Sequence, residues 1–424
     1  MRLRIKDIVT KVGSGVTPKG GATVYQNNGI PLFRSQNVTN DGLLMDDIAY
    51  ISEQTHKSMS GSRLMPNDVL LNITGASIGR CYYLPKNFKD GNVNQHVCII
   101  RPKGNVLPAF LYYNLISAKG QHMIVLCQTG ANREGLTKEN ICNFEFDIPP
   151  LETQQRMVTY LDTKLSEIDR QVSLLTSKRD AYLRLKKSII NHAVTRGLNP
   201  NVKMKDSGIE WIGEVPEHWG VKRMKDIAYL YSGLTGKVGE DFRCDDIRKT
   251  KPYIPFTSIL NNFKIDSASF SQVVMSEDEN QNQVRRNDLL FLMSSEDYVS
   301  IAKSALVSEI PDEVYLNSFC RGLRFISKNV CANFVNYQLQ ATKFRDALRF
   351  EARGFTRINI KIEKISDMFV SLPSYEEQQS IATYLDDKCA KIDTIVSNLD
   401  KQISRYGDLK RSLIDEVITG KRAV

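Results

Sequence analysis

Pro149-Pro-Leu-Glu-Thr-Gln-Gln-Arg-Met-Val-Thr-Tyr-Leu-Asp-Thr-Lys164 returns later in the chain as Pro373-Ser-Tyr-Glu-Glu-Gln-Gln-Ser-Ile-Ala-Thr-Tyr-Leu-Asp-Asp-Lys388. The register holds without a gap as far as Thr195 and Thr419, with roughly four positions in ten identical. A repeat this long is an organising feature of a fold. In the first copy apolar residues fall at Leu161, Leu165, Ile168, Val172 and Leu175; in the second at Leu385, Cys389, Ile392, Val396, Leu399 and Ile403. Alternating steps of four and three, continued by Tyr182 and Ile189 and by Tyr406 and Leu413, give the 3.5-residue period of a coiled-coil seam. Pro149 and Pro373 stand ahead of the helices, Glu152 and Glu376 favour their positive starts, and Gly197 and Gly420 mark their ends.

Working outward, the segments ahead of the helices also match, more faintly. Lys6-Asp-Ile8 returns as Lys225-Asp-Ile227, Ile30-Pro-Leu-Phe33 as Ile254-Pro-Phe-Thr257, and Asn67-Asp-Val-Leu-Leu71 as Asn287-Asp-Leu-Leu-Phe291. Pro108-Ala-Phe-Leu-Tyr-Tyr-Asn-Leu115 pairs with Ala332-Asn-Phe-Val-Asn-Tyr-Gln-Leu339, and Thr129-Gly-Ala-Asn-Arg133 with Arg353-Gly-Phe-Thr-Arg357. Short β-type runs such as Asp68-Val-Leu-Leu-Asn-Ile73 and His96-Val-Cys-Ile-Ile100 lie between Gly, Asn and Pro turns. The expected fold class is α+β: two similar α/β domains separated by two long antiparallel coiled-coil helices and related by a pseudo-twofold axis. The expected division is 1–147 for the first lobe, 148–198 for its spacer helix, 199–370 for a connector and second lobe, and 371–424 for the second spacer. The Gly-, Pro- and acid-rich connector from Asn199 to about Val221 holds both tryptophans, Trp211 and Trp219, and is expected to be ordered.

Two different readers on one scaffold suit two DNA half-sites at a fixed spacing. A helix of about forty-five residues is at most about 68 Å long at 1.5 Å per residue. The formal net charge of +9 favours an acidic partner.

The connector Met204-Lys-Asp-Ser-Gly-Ile-Glu-Trp-Ile-Gly-Glu-Val-Pro-Glu-His-Trp219, followed by Lys222-Arg-Met-Lys-Asp-Ile227, resembles the segment ahead of the second recognition domain in specificity subunits of type I restriction–modification systems. The Pro-x-x-x-x-Gln-Gln helix starts and the Thr-Gly-x-x-Arg loop resemble that family too, and the likeness covers essentially the whole chain. It implies a non-catalytic DNA-reading subunit whose two lobes each read one half of a split, asymmetric target in double-stranded DNA. It also implies partners: two modification (methyltransferase) subunits along the helices, which bind S-adenosylmethionine and methylate adenine, and restriction (motor-nuclease) subunits. The alternatives are the same kind of subunit in a type IIB-like system, a coiled-coil assembly protein that does not act on DNA, and a free-standing methyltransferase.

The chain's own chemistry reads as recognition. The nearest strings to an adenine-methyltransferase loop, Asp147-Ile-Pro-Pro-Leu151 and Asn199-Pro-Asn-Val202, lack its dipeptide and stacking aromatic together. Gly13-Ser-Gly15 and Gly233-Leu-Thr-Gly-Lys237 match neither a Walker loop nor GxGxxG, and Glu277-Asp-Glu279 reads as a solvated loop. The eight cysteines and five histidines are scattered, so buried free thiols and no bound metal or cofactor are expected. With no apolar run long enough to span a bilayer and no signal-peptide core, a cytoplasmic protein is expected. Candidate DNA contacts are Arg133 with Asn132 and Arg357 with Thr356 on equivalent loops, then Arg353, Arg321, Arg34 and Arg80. Arg324, Arg345 and Arg349 add basic density near Phe350 and Phe355. Arginine suits the role because its fork reads guanine O6 and N7 or clasps phosphate.

Overall fold

The structure is a computed structural model that describes residues 1–128, 135–243, 250–266, 270–276 and 278–424. The chain divides into two compact units, Met1–Thr176 with Asp400–Val424, and Ser177–Leu399. The two repeat segments form the long helices Leu151–Arg196 and Tyr375–Ile418, each of which contributes to both units. Gly197 and Gly420 follow their ends at φ 74° and 72°, the left-handed conformation that glycine adopts without strain.

In the first unit, strands Val9–Ser14, Val97–Pro102, Val69–Asn72 and Cys81–Tyr83 form one antiparallel sheet in that order. A smaller sheet joins Ala49–Ile51, Ile30–Phe33 and Asn92–Val93. The strand Val69–Asn72 is buried at every position. Alternation of side chains explains this: Val69 and Leu71 enter the core that the long helices cover, while Leu70 enters a second core with Phe33 and Val93. The second unit repeats the plan. Its five-stranded sheet runs Ala228–Ser232, Cys320–Phe325, Leu289–Leu292, Ser304–Val307 and Lys264–Ile265, beside a three-stranded sheet of Ser271–Val274, Thr250–Ile254 and Tyr315–Leu316. Leu289 and Phe291 face the helix-side core, and Leu290 and Leu292 face the other.

The same polar devices recur in both units. Asn67 and Asn287 each turn the chain at φ 70°, and the next residue is a buried aspartate. Asp68 takes both arms of Arg101 at 2.6 and 2.8 Å, as Asp288 takes those of Arg324 at 2.9 and 2.6 Å. At the helix starts only the first glutamine of each Gln-Gln pair is buried. Gln154 Nε2 donates to the carbonyls of Asn105 and Pro149 while its Oε1 accepts from the Leu107 N–H. Gln378 does the same with Asn329, Pro373 and Cys331. Further along each helix, Tyr113 donates to Asp162 and Tyr337 to Asp386.

Within each unit the start of one long helix lies along the end of the other, so the two run antiparallel there. In the first, Leu161, Leu165 and Ile168 share a core with Leu413, Ile414, Val417 and Ile418, and Lys410 reaches Asp169 at 2.8 Å. In the second, Ile190, Ala193 and Val194 meet Ile381, Ala382, Leu385 and Cys389, and Lys186 reaches Asp393 at 2.6 Å. The seam residues Ile392 and Leu399 are buried, whereas Val172, Leu175, Val396 and Ile403 are half-buried. A helix covered by a lobe as well as a partner helix buries a broad face; paired contact alone covers a stripe. The connector is ordered as expected: Met204–Asp206 pairs with Glu214–Pro216, and Trp219 is fully buried with its indole N–H donated to Glu377.

The Gln378 geometry makes a prediction. Gln378→Ala leaves the Cys331 N–H and two carbonyls without partners, a cost of about 1–3 kcal/mol. The second unit should melt earlier and the Cys331 amide should exchange faster with deuterium. Gln379→Ala, at an exposed position, should change neither.

Candidate nucleic-acid interface

In the second unit the chain leaves the helix Thr342–Glu351 and makes a closed loop before the strand Ile358–Asn359. That strand pairs with Ser294–Ser295, just past the buried strand Leu289–Leu292. Arg353 and Asn359 shut the mouth of the loop with two backbone hydrogen bonds of 2.9 and 2.8 Å. Gly354 sits at φ 146°, and a Cβ there would stand 1.9 Å from the carbonyl oxygen of Arg357, so the turn requires glycine. The Tyr298 hydroxyl donates to the Gly354 carbonyl at 3.3 Å. What the loop presents is Phe355, fully exposed, with Thr356 and Arg357 exposed beside it. The Arg357 guanidinium lies over the half-exposed ring of Phe319, 5.1 Å from its centroid.

Arg353, Thr356 and Arg357 therefore come together on one loop. Arg353 donates to the carbonyls of Phe350 and Ala352 and lies over the Phe350 ring, so it shapes the loop while its side of the surface stays open. Arg321 is half-buried and donates to the carbonyls of Ser318 and Cys320 at 3.1 and 2.8 Å, supporting the turn that carries Phe319. In the first unit, Arg34 is committed to Asp47, donating to its backbone carbonyl at 2.5 Å and its carboxylate at 3.3 Å. Arg80 is exposed just past the short helical turn Gly75–Ser77. Asn132 and Arg133 lie outside the described residues. The frame beside them is described: Thr74 bridges to Gly135, and the repeat register makes these the counterparts of Ser294 and Asn359. Both loops thus end against the same place in their lobes.

Three of the arginines read as basic density in the second lobe have another task. Arg324 is held by Asp288. Arg345 is buried and donates to the carbonyls of Ala302, Ile301 and Val299 at 2.7, 2.6 and 3.0 Å, with burial and then the neighbouring Arg349 pulling its pKa down to about 10. Arg349 donates to the carbonyl of Tyr298 at 3.1 Å. A guanidinium fork fits converging carbonyls as well as phosphates, and only tertiary structure says which it meets. Sequence reading passed over Phe319 and Tyr298. A single aromatic residue in a turn carries no pattern, and the only available sign was that Phe319 lies in a stretch of turn residues.

The lysine of Gly233-Leu-Thr-Gly-Lys237 is engaged too: its side chain is nearly buried against Glu279 at 2.5 Å, and holds that carboxyl down to about 2. Glu277 lies outside the described residues. Cys81, Cys98, Cys320 and Cys389 are buried, and Cys127, Cys142 and Cys331 half-buried. Burial pushes the Cys98 and Cys320 thiols up to about 12, so both stay protonated at neutral pH. Cys244 lies outside the described residues. Among the described residues no group of three or more His, Cys, Asp or Glu could hold a metal ion, and no helix is long and apolar enough to cross a membrane.

Comparison with known proteins agrees with this architecture. The family described as the type I restriction modification DNA specificity domain matches residues 1–175 and 216–405. The MjaVIII type I restriction enzyme specificity subunit of Methanocaldococcus jannaschii is 22% identical over 84% of this chain and 79% of its own. The EcoKI specificity subunit of Escherichia coli K12 is 20% identical over 97% and 87%. Among solved structures, a chain from work on complex assembly and conformational transition of the type I R-M system superposes with a TM-score of 0.73 at 13% identity, covering 99% of this chain and 97% of that one. The HsdS subunit of Thermoanaerobacter tengcongensis gives 0.52 at 13% identity over 100% and 97%.

The two classes of arginine separate experimentally. Arg345→Ala leaves the carbonyls of Ala302 and Ile301 without their side-chain donor, while Val299 keeps Arg349, and should lower the stability of the second unit by about 1–3 kcal/mol. Arg357→Ala, at an exposed tip, should stay within about 0.5 kcal/mol of the parent. Thermal unfolding of the two variants measures both.

Proposed function

The chain belongs to the type I restriction–modification DNA specificity family, and from that premise we propose that it is the subunit that reads DNA sequence for a complex whose chemistry is done by others. Each lobe reads one half of a bipartite, asymmetric target in double-stranded DNA, residues 1–147 one half and 199–370 the other. The helical segments 148–198 and 371–424 set the spacing between the halves and dock two modification subunits. Those subunits hold S-adenosylmethionine and methylate adenine; restriction subunits join them for cleavage. The work is done in the cytoplasm. The observation that carries this reading is that two segments in register end at the same place in the two lobes while their sequences differ, Thr129-Gly-Ala-Asn-Arg133 against Arg353-Gly-Phe-Thr-Arg357. A common frame with divergent sequence suits two different base sequences, whereas a protein-binding scaffold gains nothing from the divergence.

Removing one of the paired arginines should therefore relax one half-site. Arg133→Ala and Arg357→Ala should each lose about 1–3 kcal/mol of discrimination in one half of the target, and in opposite halves. Selection from randomised duplexes, and mapping of methylated adenines, reads this directly. An equal loss on all sequences with a shallower salt dependence makes the two arginines phosphate contacts; no loss removes them from the interface.

Spacing is tested by length. One heptad inserted after Val172 and another after Val396 preserves the seam. Each adds about 10 Å at 1.5 Å per residue, near three base pairs at about 3.4 Å per step. The preferred gap between half-sites should grow by at most that amount while each half keeps its bases. An unchanged gap would leave the helices as docking surfaces only.

A further inference from the structure

An exposed phenylalanine is ordinary on a flexible surface, where the ring folds back onto apolar neighbours. Phe355 is not so placed. Its loop is closed by the paired hydrogen bonds of Arg353 and Asn359, fixed in shape by Gly354, and tied from outside by Tyr298. The ring is fully exposed at the tip of this braced turn. The same loop carries the cations of Arg353, which lies over the Phe350 ring, and of Arg357, which lies over a second exposed ring, Phe319. The combination is an apolar blade on a rigid mount with positive charge beside it. Phosphates attract the rim, and the one broad apolar surface that a duplex offers next to its phosphates is the face of a base. Apolar side chains that enter a base step in this way unstack it and kink the duplex.

We propose that Phe355 is a wedge that enters the base stack of the half-site read by the second lobe. The proposal rests on the DNA reading above and adds an asymmetry to it. The residue in register with Phe355 in the first lobe is Ala131, whose methyl group is too short to pry stacked bases apart. One half of the target is then deformed and the other is read undeformed. Some of the second lobe's specificity therefore comes from how easily its step opens, and flexible pyrimidine–purine steps are the cheapest to open.

The test uses the full chain with its modification subunits. Selection from a randomised duplex library comes first: an enriched bipartite motif is expected, and no enrichment overturns the DNA reading and the wedge together. The half that Arg357→Ala relaxes identifies the second lobe's site. 2-Aminopurine placed at successive positions should then brighten on binding at one step of that half, away from the methylated adenine. Phe355→Ala should abolish that rise and weaken binding roughly tenfold, as for loss of one stacked base; Phe355→Trp should keep both. An enriched motif whose 2-aminopurine stays dark in the parent overturns the wedge alone. So does a rise that survives in Phe355→Ala, which then belongs to base extrusion by the modification subunits.

Discussion

The rest of the structure depends on how a long, thinly covered helix is anchored at its start. A two-helix seam buries only a stripe, and Val172, Leu175, Val396 and Ile403 in its middle are half-buried. The geometry of such a helix is set where it leaves its lobe. There Gln154 and Gln378 each place one side-chain amide among three backbone groups. Two of these belong to the loop before a lobe helix and one to the proline ahead of the long helix. Because an unmet buried backbone group costs about 1–3 kcal/mol, the helix cannot turn or slide without the penalty of breaking these bonds. Tyr113 on Asp162 and Tyr337 on Asp386 repeat the constraint further along.

Most of the architecture was legible because it was written twice. The 3.5-residue seam, the glycine ends and the paired glutamines are local patterns, and repetition separated them from noise. The repeat also held information that sequence reading left unused. Asn67-Asp68 and Asn287-Asp288 stood in register, with Arg101 and Arg324 following at nearly equal spacing. A buried aspartate behind a left-handed asparagine, paired with an arginine from the neighbouring strand, was the interaction behind that match. It was hidden because the two partners lie on different strands.

The candidate interface was less legible, for a reason particular to arginine. Its five donors serve carbonyls, carboxylates, aromatic faces and phosphates alike. Arg345 and Arg357 look equivalent in a string of letters; one is buried beneath three carbonyls and the other is exposed over Phe319. The glycine at 354 was more informative than the arginines around it. It marks a turn that no other residue fits and hence a loop with one shape.

The division of the chain into units also orders events in time. The first unit is built from Met1–Thr176 and Asp400–Val424, and its main core takes in Leu413, Ile414, Val417 and Ile418. The second unit, Ser177–Leu399, is one continuous stretch between those two pieces. As the ribosome proceeds from the amino end, the second unit is complete in sequence before the first has received its closing segment. The first unit therefore waits without Leu413, Ile414, Val417 and Ile418, which belong to its main core, through the synthesis of some two hundred residues. An incomplete core leaves apolar surface exposed while the chain is being made.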